Sequence, residues 1–218
     1  MTYVQYGCGF SAPDGWLNFD ASPTLRIERI PIIGRVISAA LSGNALRFPA
    51  SVRYGDIRRG PLVLPGTAEG VYASHVLEHL SLADFRKALE HTYAMLAYGG
   101  TFRLVVPDLL ARARAYVDLA DQGKCYAAEQ FVRTTGLGRE RRSLIRDLLG
   151  NSLHLWMWDE ASIALELRKV GFVEIRRCEI GDSGITAFKA VEEEVRFYDK
   201  ELKIPECAME ARRSLEIN

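Results

Sequence analysis

Residues 3–23 read YVQYGCGFSAPDGWLNFDASP. Tyr3–Tyr6 is a short, mostly apolar, β-favouring run that stops at the turn signal Gly7-Cys8-Gly9. Trp16–Asp20 repeats the pattern, an apolar run that closes on an acid before Ala21-Ser22-Pro23. Further along, Val52–Gly55 followed by Asp56, Gly70–Ser74 followed by His75, and Phe102–Val106 followed by Pro107-Asp108 read the same way. Short apolar strands alternating with amphipathic helices imply an α/β chain with a mostly parallel sheet. Ligands of such sheets sit beyond the carboxyl ends of the strands. Here those ends carry Gly7–Gly9, Asp20, Asp56, Ser74 and His75, and that coincidence is the first functional clue.

The helices between the strands are read from spacing and caps. Ser81 with Asp84 three residues on has the capping-box pattern. Leu82, Phe85, Leu89, Tyr93 and Leu96 then recur at helical spacing until Gly99-Gly100. Asp108 caps a helix expected to run to about Gly123, more helix is expected over 125–135 and 141–149, and Asp159–Val170 is another, ended by Gly171. A helix over 25–42 has to contend with Pro31 and Gly34. Val173–Ile180 reads as a strand, 188–199 as helical charge patterning and Glu206–Arg212 as a last strand. No repeat divides the chain, so 1–218 is one domain, with 108–158 as a helical cap.

Composition fits this reading. A chain of 218 residues with 48% apolar and 26% charged residues is ordinary globular material with enough length to bury a core. Lys+Arg and Asp+Glu number 28 each, and this zero balance argues against nucleic acid and anionic membranes as partners. The four cysteines, Cys8, Cys125, Cys178 and Cys207, form no CxxC, which argues against a zinc framework or redox pair and fits a reducing compartment. There is no basic segment followed by an apolar run at the N-terminus, and no apolar run of membrane-spanning length. A cytoplasmic location is expected.

A glycine pair after a first strand lets backbone approach a ligand, although a plain tight turn explains Gly7-x-Gly9 equally well. An acid at the end of a second strand can accept both hydroxyls of a ribose; Asp20 could equally cap a helix. Taken together they point to a nucleoside-bearing cofactor. A dinucleotide is disfavoured, because the pyrophosphate fingerprint needs a third glycine opening a helix and position 12 is Ala, followed by Pro13. Only residues 10–15 separate Gly9 from Trp16, shorter than an ordinary crossover between parallel strands.

YVQYGCG (3–9), GWLNFDASP (15–23), YASHVLEHLS (72–81), LAYGGTFRLVVPDL (96–109) and WDEASIALELRKVGFVEI (158–175), in that order, resemble the class I S-adenosylmethionine-dependent methyltransferases. The likeness is to the small bacterial, type 11-like branch that carries HVLEHL (75–80) and a truncated first crossover, and it spans residues 3 to 180 or further. The resemblance implies a Rossmann-like, seven-stranded sheet with helices on both faces, a helical insert after strand five and an antiparallel last strand. It further implies that Tyr6, Gly7, Cys8 and Gly9 line the methionine part of S-adenosylmethionine. On the same likeness Asp20 binds the ribose, Asp56 and Ile57 hold the adenine, and Ser74 and His75 close the site near the sulfonium. One departure is Glu69-Gly70, where the family usually has an Asp before strand four.

Methyl transfer needs the acceptor held close and in line, and a hydroxyl acceptor also needs a base. Of four histidines, His75, His79 and His154 are the candidates for that role, and His91 reads as a surface residue of its helix. His75, Glu78 and His79 stand at i, i+3, i+4, so one helical turn would gather them. Packing and capping, acid/base work, and a metal site all fit that spacing. Some RNA and quinone O-methyltransferases hold magnesium with E-x-x-E-H, but His75 stands where such a hard-cation site has its first Glu, so no metal is expected. Within 108–158, Arg133, Arg139, Arg141, Arg142 and Arg146 with His154, Trp156 and Trp158 form either a solvated face over core tryptophans or an acceptor pocket.

The expected activity is S-adenosylmethionine-dependent O-methylation of a small molecule or a glycan hydroxyl. The missing Asn/Asp-Pro-Pro-Tyr-type motif argues against DNA amino-methylation. A non-catalytic binding subunit on the same fold and a nicotinamide oxidoreductase are the rivals, and self-association into a homodimer stays open.

Overall fold

A computed structural model describes residues 1–31, 47–136 and 153–215. In chain order the elements are β1 (Thr2–Tyr6), β2 (Trp16–Asp20), α1 (Pro23–Glu28), β3 (Arg53–Tyr54), β4 (Ala68–Ser74), α2 (Leu82–Met95), β5 (Leu96–Val106), α3 (Leu109–Asp121), α4 (Ala127–Thr134), α5 (Glu160–Val170), β6 (Phe172–Arg177), α6 (Glu194–Phe197) and β7 (Cys207–Arg213). Two 3-10 turns, Leu77–His79 and Thr186–Ala190, complete the set. The strands form one sheet in the order β3-β2-β1-β4-β5-β7-β6. Pairings are parallel from β3 to β5, and β7 runs antiparallel to both β5 and β6. This is a Rossmann-like, mostly parallel seven-stranded sheet, with the antiparallel last strand that the resemblance implies.

Register places the functional loops. Tyr6 stands beside Phe19 on one side and Ala73 on the other, and Ser74 beside Val105. The chain therefore leaves β1, β2, β3 and β4 at one edge of the sheet, at the point where strand order reverses between β1 and β4.

Alternation along the strands makes two apolar faces. Val4, Val71, Ala73, Phe102 and Leu104 face α2 and α5, where Phe85, Leu89, Met95, Ile163 and Leu167 are all fully buried. Tyr72, Val105 and Ala208 face the other way, with Trp16, against Phe188, Val191 and Phe197 from the excursion between β6 and β7. Arg103 lies on this second face, 1% exposed, and is matched by Asp182, Glu192 and Glu210 at 3.0, 2.6 and 2.7 Å.

Several boundaries differ from the sequence reading. The helix begun at Ser81 stops at Met95, not at the glycines, because Leu96 already pairs with Ala68 as the first residue of β5. The true capping box is at Asp159 and Ser162, each accepting from the other's backbone N–H; Ser81 caps through its own hydroxyl, which accepts from Asp84 N. Within 188–199 the charged pattern yields only the end of a 3-10 turn and the single turn of α6, since its apolar residues fold down as the lid over the second face. The expected strand 173–180 is β6, Phe172–Arg177, with Glu174 at φ +49° where pairing with β7 shifts register. The expected helix 25–42 is α1 as far as Glu28; its residues 32–42, like the helix expected over 141–149, lie outside the described residues. All four cysteines are free, and no helix among the described residues is long and apolar enough to cross a membrane.

Candidate functional site

The loop after β1 is a glycine turn for a steric reason. Gly7 has φ +63°, and a Cβ there would lie 2.1 Å from Cγ2 of Val76, in the loop after β4. The next two backbone N–H groups bind β2: Cys8 donates to the Phe19 carbonyl at 3.1 Å and Gly9 to Oδ2 of Asp20 at 2.9 Å. Oδ1 of Asp20 accepts from Ser22 N at 2.7 Å. The helix-cap alternative for Asp20 falls to Ser22, whose hydroxyl accepts from Leu25 N with Pro23 opening α1. A carboxylate has about four lone-pair directions, so Asp20, 7% exposed, keeps acceptor capacity beside the two loop bonds.

After β3, Asp56 is gripped by its neighbour. Nε and NH2 of Arg58 both lie 2.8 Å from its two oxygens, and that guanidinium holds the Asp56 carboxyl below the usual carboxylate range. The Ile57 carbonyl accepts from Nδ1 of His91 at 2.6 Å. His91 is therefore a brace from α2 to this loop rather than a plain surface residue.

These loops surround a cleft of about 370 Å³, a size suited to a small organic ligand. Of the residues singled out in the sequence, Tyr6, Gly7, Asp20, Asp56, Ile57, His75 and His79 line it, together with Ser22, Arg58 and Val76. Three expected residues are not on its wall. Cys8 is 2% exposed among Leu25, Phe48 and Val52, and burial, helped by the Asp20 charge, pushes its thiol up to about 12. Gly9 is a partner of Asp20, and the Ser74 hydroxyl is buried at the end of β4. Tyr6 turns its ring into the core, where its hydroxyl meets Thr92 at 3.2 Å, so the cleft receives this strand end and not the phenol.

Beside the cleft the chain turns abruptly. His75 has φ +53°, unusual for a residue with a Cβ, and its N–H donates to the Val105 carbonyl at 2.9 Å. The following 3-10 turn puts Glu78 between two imidazoles: Nδ1 of His75 at 3.4 Å and Nε2 of His79 at 3.7 Å from Oε1. A helical turn was expected here; the left-handed kink at His75 and a 3-10 turn achieve the same gathering. His154 joins from far along the chain because Leu155 N and Trp156 N both donate to the Glu78 carbonyl, at 2.8 and 3.2 Å. Its ring stands 5.1 Å from that of His79, away from the cleft wall. Burial works against charge on His75, but the Glu78 carboxylate outweighs it and the pKa is raised; on His154 burial prevails and the pKa is lowered.

The arginine and tryptophan cluster divides. Trp158 is core, 2% exposed and stacked on Phe85 at 4.0 Å, while Trp156 is 42% exposed. Arg133 pairs with Glu201. Arg139, Arg141, Arg142 and Arg146 lie outside the described residues. Sequence reasoning missed Arg112, buried in α3 and bound to Glu206 and Asp199 at 2.7 and 2.8 Å, which ties the insert after β5 to the segment before β7.

No protein-family model matches the chain, and no match was found among the curated proteins. Among solved structures, an S-adenosylmethionine-dependent methyltransferase from Mesorhizobium loti is similar at 16% identity and TM-score 0.49 over 97% of this chain and 90% of its own. A SAM-dependent methyltransferase from Archaeoglobus fulgidus is similar at 14% identity and TM-score 0.46, over 97% and 85%. The CurJ carbon methyltransferase is similar at 14% and 0.48, over 98% of this chain. The chain spans about half the length of CurJ, 48%, and of PigF bound to SAH, 50%. With scores this low the likenesses decide nothing by themselves; strand order and the loops at one sheet edge are what the chain itself contributes.

Proposed function

We propose that this chain is an S-adenosylmethionine-dependent methyltransferase acting on a hydroxyl of a small molecule or glycan. The observation that carries the reading is Asp20: a buried carboxylate at the end of β2, tied to the glycine turn, facing a cleft at the strand-order switch point. The remaining lone pairs of Asp20 suit a ribose diol, and Ile57 gives an apolar wall for a purine. Asp56 serves that wall indirectly, because its carboxylate is committed to Arg58 and so fixes the loop.

When bound, the cofactor supplies an electrophilic methyl group on a sulfonium. The chain's part is to hold an acceptor in line and take its proton. His75 and His79 are the imidazoles that line the cleft, and one of them receives the hydroxyl proton; His154 acts only through His79 and Glu78.

The test is calorimetric titration of the folded chain with S-adenosylmethionine and S-adenosylhomocysteine, repeated with Asp20→Ala. Hydrogen bonds to a charged group are worth about 1.5–3 kcal/mol each, so losing two weakens binding at least about 100-fold. Failure of the folded wild type to bind either compound would sink the reading. Binding with no methyl transfer from a labelled donor across a panel of hydroxylated acceptors would point to the binding-subunit rival.

A further inference from the structure

Among the described residues the Glu78 carboxylate is met by imidazoles and by no lysine or arginine. Its carboxylate is 0% exposed, and neither oxygen has a hydrogen-bond donor. A buried carboxylate is costly unless it is paired or binds a cation. Three histidines surround it, and each turns its outer nitrogen to a backbone carbonyl: Nε2 of His75 to Arg196 at 2.9 Å, Nδ1 of His79 to Leu153 at 3.0 Å, and Nδ1 of His154 to Thr135 at 2.8 Å. A carbonyl oxygen only accepts, so those nitrogens carry the hydrogens. In neutral imidazoles the other nitrogens are then lone pairs. The fold thus gathers lone pairs around a buried anion.

A metal ion resolves this. Glu78, His79 and His154 each offer one ligand atom, and these atoms lie within 4.8 Å of one another. A zinc site with bonds of about 2.0–2.1 Å wants ligand atoms about 3.3 Å apart, a contraction that side-chain rotation can supply. A ring N–H held by a backbone carbonyl is the usual outer support of a metal-bound histidine, because it fixes tautomer and orientation. The surroundings are built for the ring of His154 as well: Gly136, at φ +69°, has no Cβ, and one there would lie 2.6 Å from Nδ1.

We infer that Glu78, His79 and His154 form a site for one divalent transition-metal ion, zinc or a similar cation. Two imidazoles and one carboxylate suit zinc, cobalt(II) or iron(II), and not the all-oxygen preference of magnesium or calcium. The sequence argument against a metal concerned a hard cation with a ligand at position 75, whereas here the third ligand comes from His154. Three protein ligands leave a fourth position, and one of the three, His79, also lines the cleft. His75 is then the imidazole left to take the acceptor proton of the proposed reaction. The metal site itself does not depend on that reaction.

The experiment uses the whole chain, stripped with chelator, and titrates it with zinc chloride by calorimetry and with cobalt(II) chloride by visible absorption. The expected result is one equivalent bound, with the intense bands of four-coordinate cobalt(II). Glu78→Gln, His79→Gln and His154→Gln should each weaken binding at least about tenfold, with folding checked by circular dichroism. Because His79 and His154 are only partly buried, their variants decide the matter if Glu78→Gln does not fold. No saturable binding by the folded wild type overturns the inference, as does binding that survives the His79 and His154 changes. Titrating the same samples with S-adenosylhomocysteine reads the cofactor site separately, so failure of one proposal is not mistaken for failure of the other.

Discussion

Replacing Gly7 by alanine tests the turn that opens the cleft. Two costs are separable there. An L-residue held at φ +63° pays about 1–2 kcal/mol in left-handed strain. A Cβ placed 2.1 Å from Cγ2 of Val76 and 3.0 Å from Cγ1 forces one of them to move, and overpacking of this kind costs about 1–3 kcal/mol. Gly7→Ala should therefore destabilise by about 2–5 kcal/mol, which at this chain length lowers the melting temperature by roughly 4–20 °C. Val76→Ala removes both clashing methyls; Val76 is half-buried, and losing that packing costs about 1 kcal/mol alone. In the double variant only the left-handed strain and the lost packing remain, about 2–3 kcal/mol. The cycle should show a favourable coupling of about 1–3 kcal/mol, measured from urea midpoints with the slope held common. Additivity within about 0.5 kcal/mol would refute the assignment of Val76 as the obstacle. A cost for Gly7→Ala under about 1 kcal/mol would refute the left-handed turn itself.

Arg103→Met leaves the buried Glu192 without its cation and takes from Asp182 and Glu210 one of the two arginines that hold them, Arg176 being the other, and should cost about 3–5 kcal/mol near neutral pH. The carboxyls of Asp182 and Glu210 are held below their ordinary pKa, so this stabilisation is present above the unfolded value and is lost as pH falls through the folded one. The gap between wild type and variant should accordingly hold from pH 7 down to about pH 4 and narrow from there towards about pH 2 in urea melts, and a gap that widens would contradict the account. His91→Leu removes the bond that braces the Ile57 carbonyl without altering the cleft wall, and should weaken S-adenosylhomocysteine binding about 2–10-fold. Calorimetry showing unchanged affinity would mean the Asp56–Ile57 loop needs no such brace.

The parts of the fold legible in the sequence are those decided by neighbours in the chain. Tyr3–Tyr6, Trp16–Asp20 and Phe102–Val106 declare themselves because a short apolar run and the turn residues that close it are local, and the strand ends therefore name Gly7, Asp20, Asp56 and His75 as one edge. Legibility fails where a side chain has several local roles and a distant contact selects one. Asp20 and Ser22 are both plausible caps; the N–H of Gly9, held next to Asp20 by the β1–β2 pairing, takes Asp20 and leaves the cap to Ser22. His91 fits a surface helix face until the loop after β3 arrives beside it. His154 becomes a neighbour of His79 through long-range bonds, two from its neighbours to the Glu78 carbonyl and one from His79 to the Leu153 carbonyl, which no spacing records.

The short first crossover shows how far such distant contacts reach. Residues 7–15 need only return along a five-residue strand, about 17 Å at 3.3 Å per residue, and extended chain covers that without a helix. What a crossover helix would also have done is cover the sheet, and β1, β4 and β5 still present Tyr72 and Val105 on that face beside Trp16. The excursion after β6 does this instead. Phe188 and Phe197 are buried against those residues, Nε1 of Trp16 donates to the Ala187 carbonyl at 3.3 Å, and Arg103 anchors Asp182 and Glu192 at the far end. The same excursion ends at α6, where the Arg196 carbonyl accepts from Nε2 of His75. A local helix has been exchanged for a cover from the other end of the chain, at the cost of longer loop closure in folding. In return the cover fixes the tautomer of a cleft imidazole, so damage to the packing of Phe188 should reach the cleft through His75 rather than through the sheet.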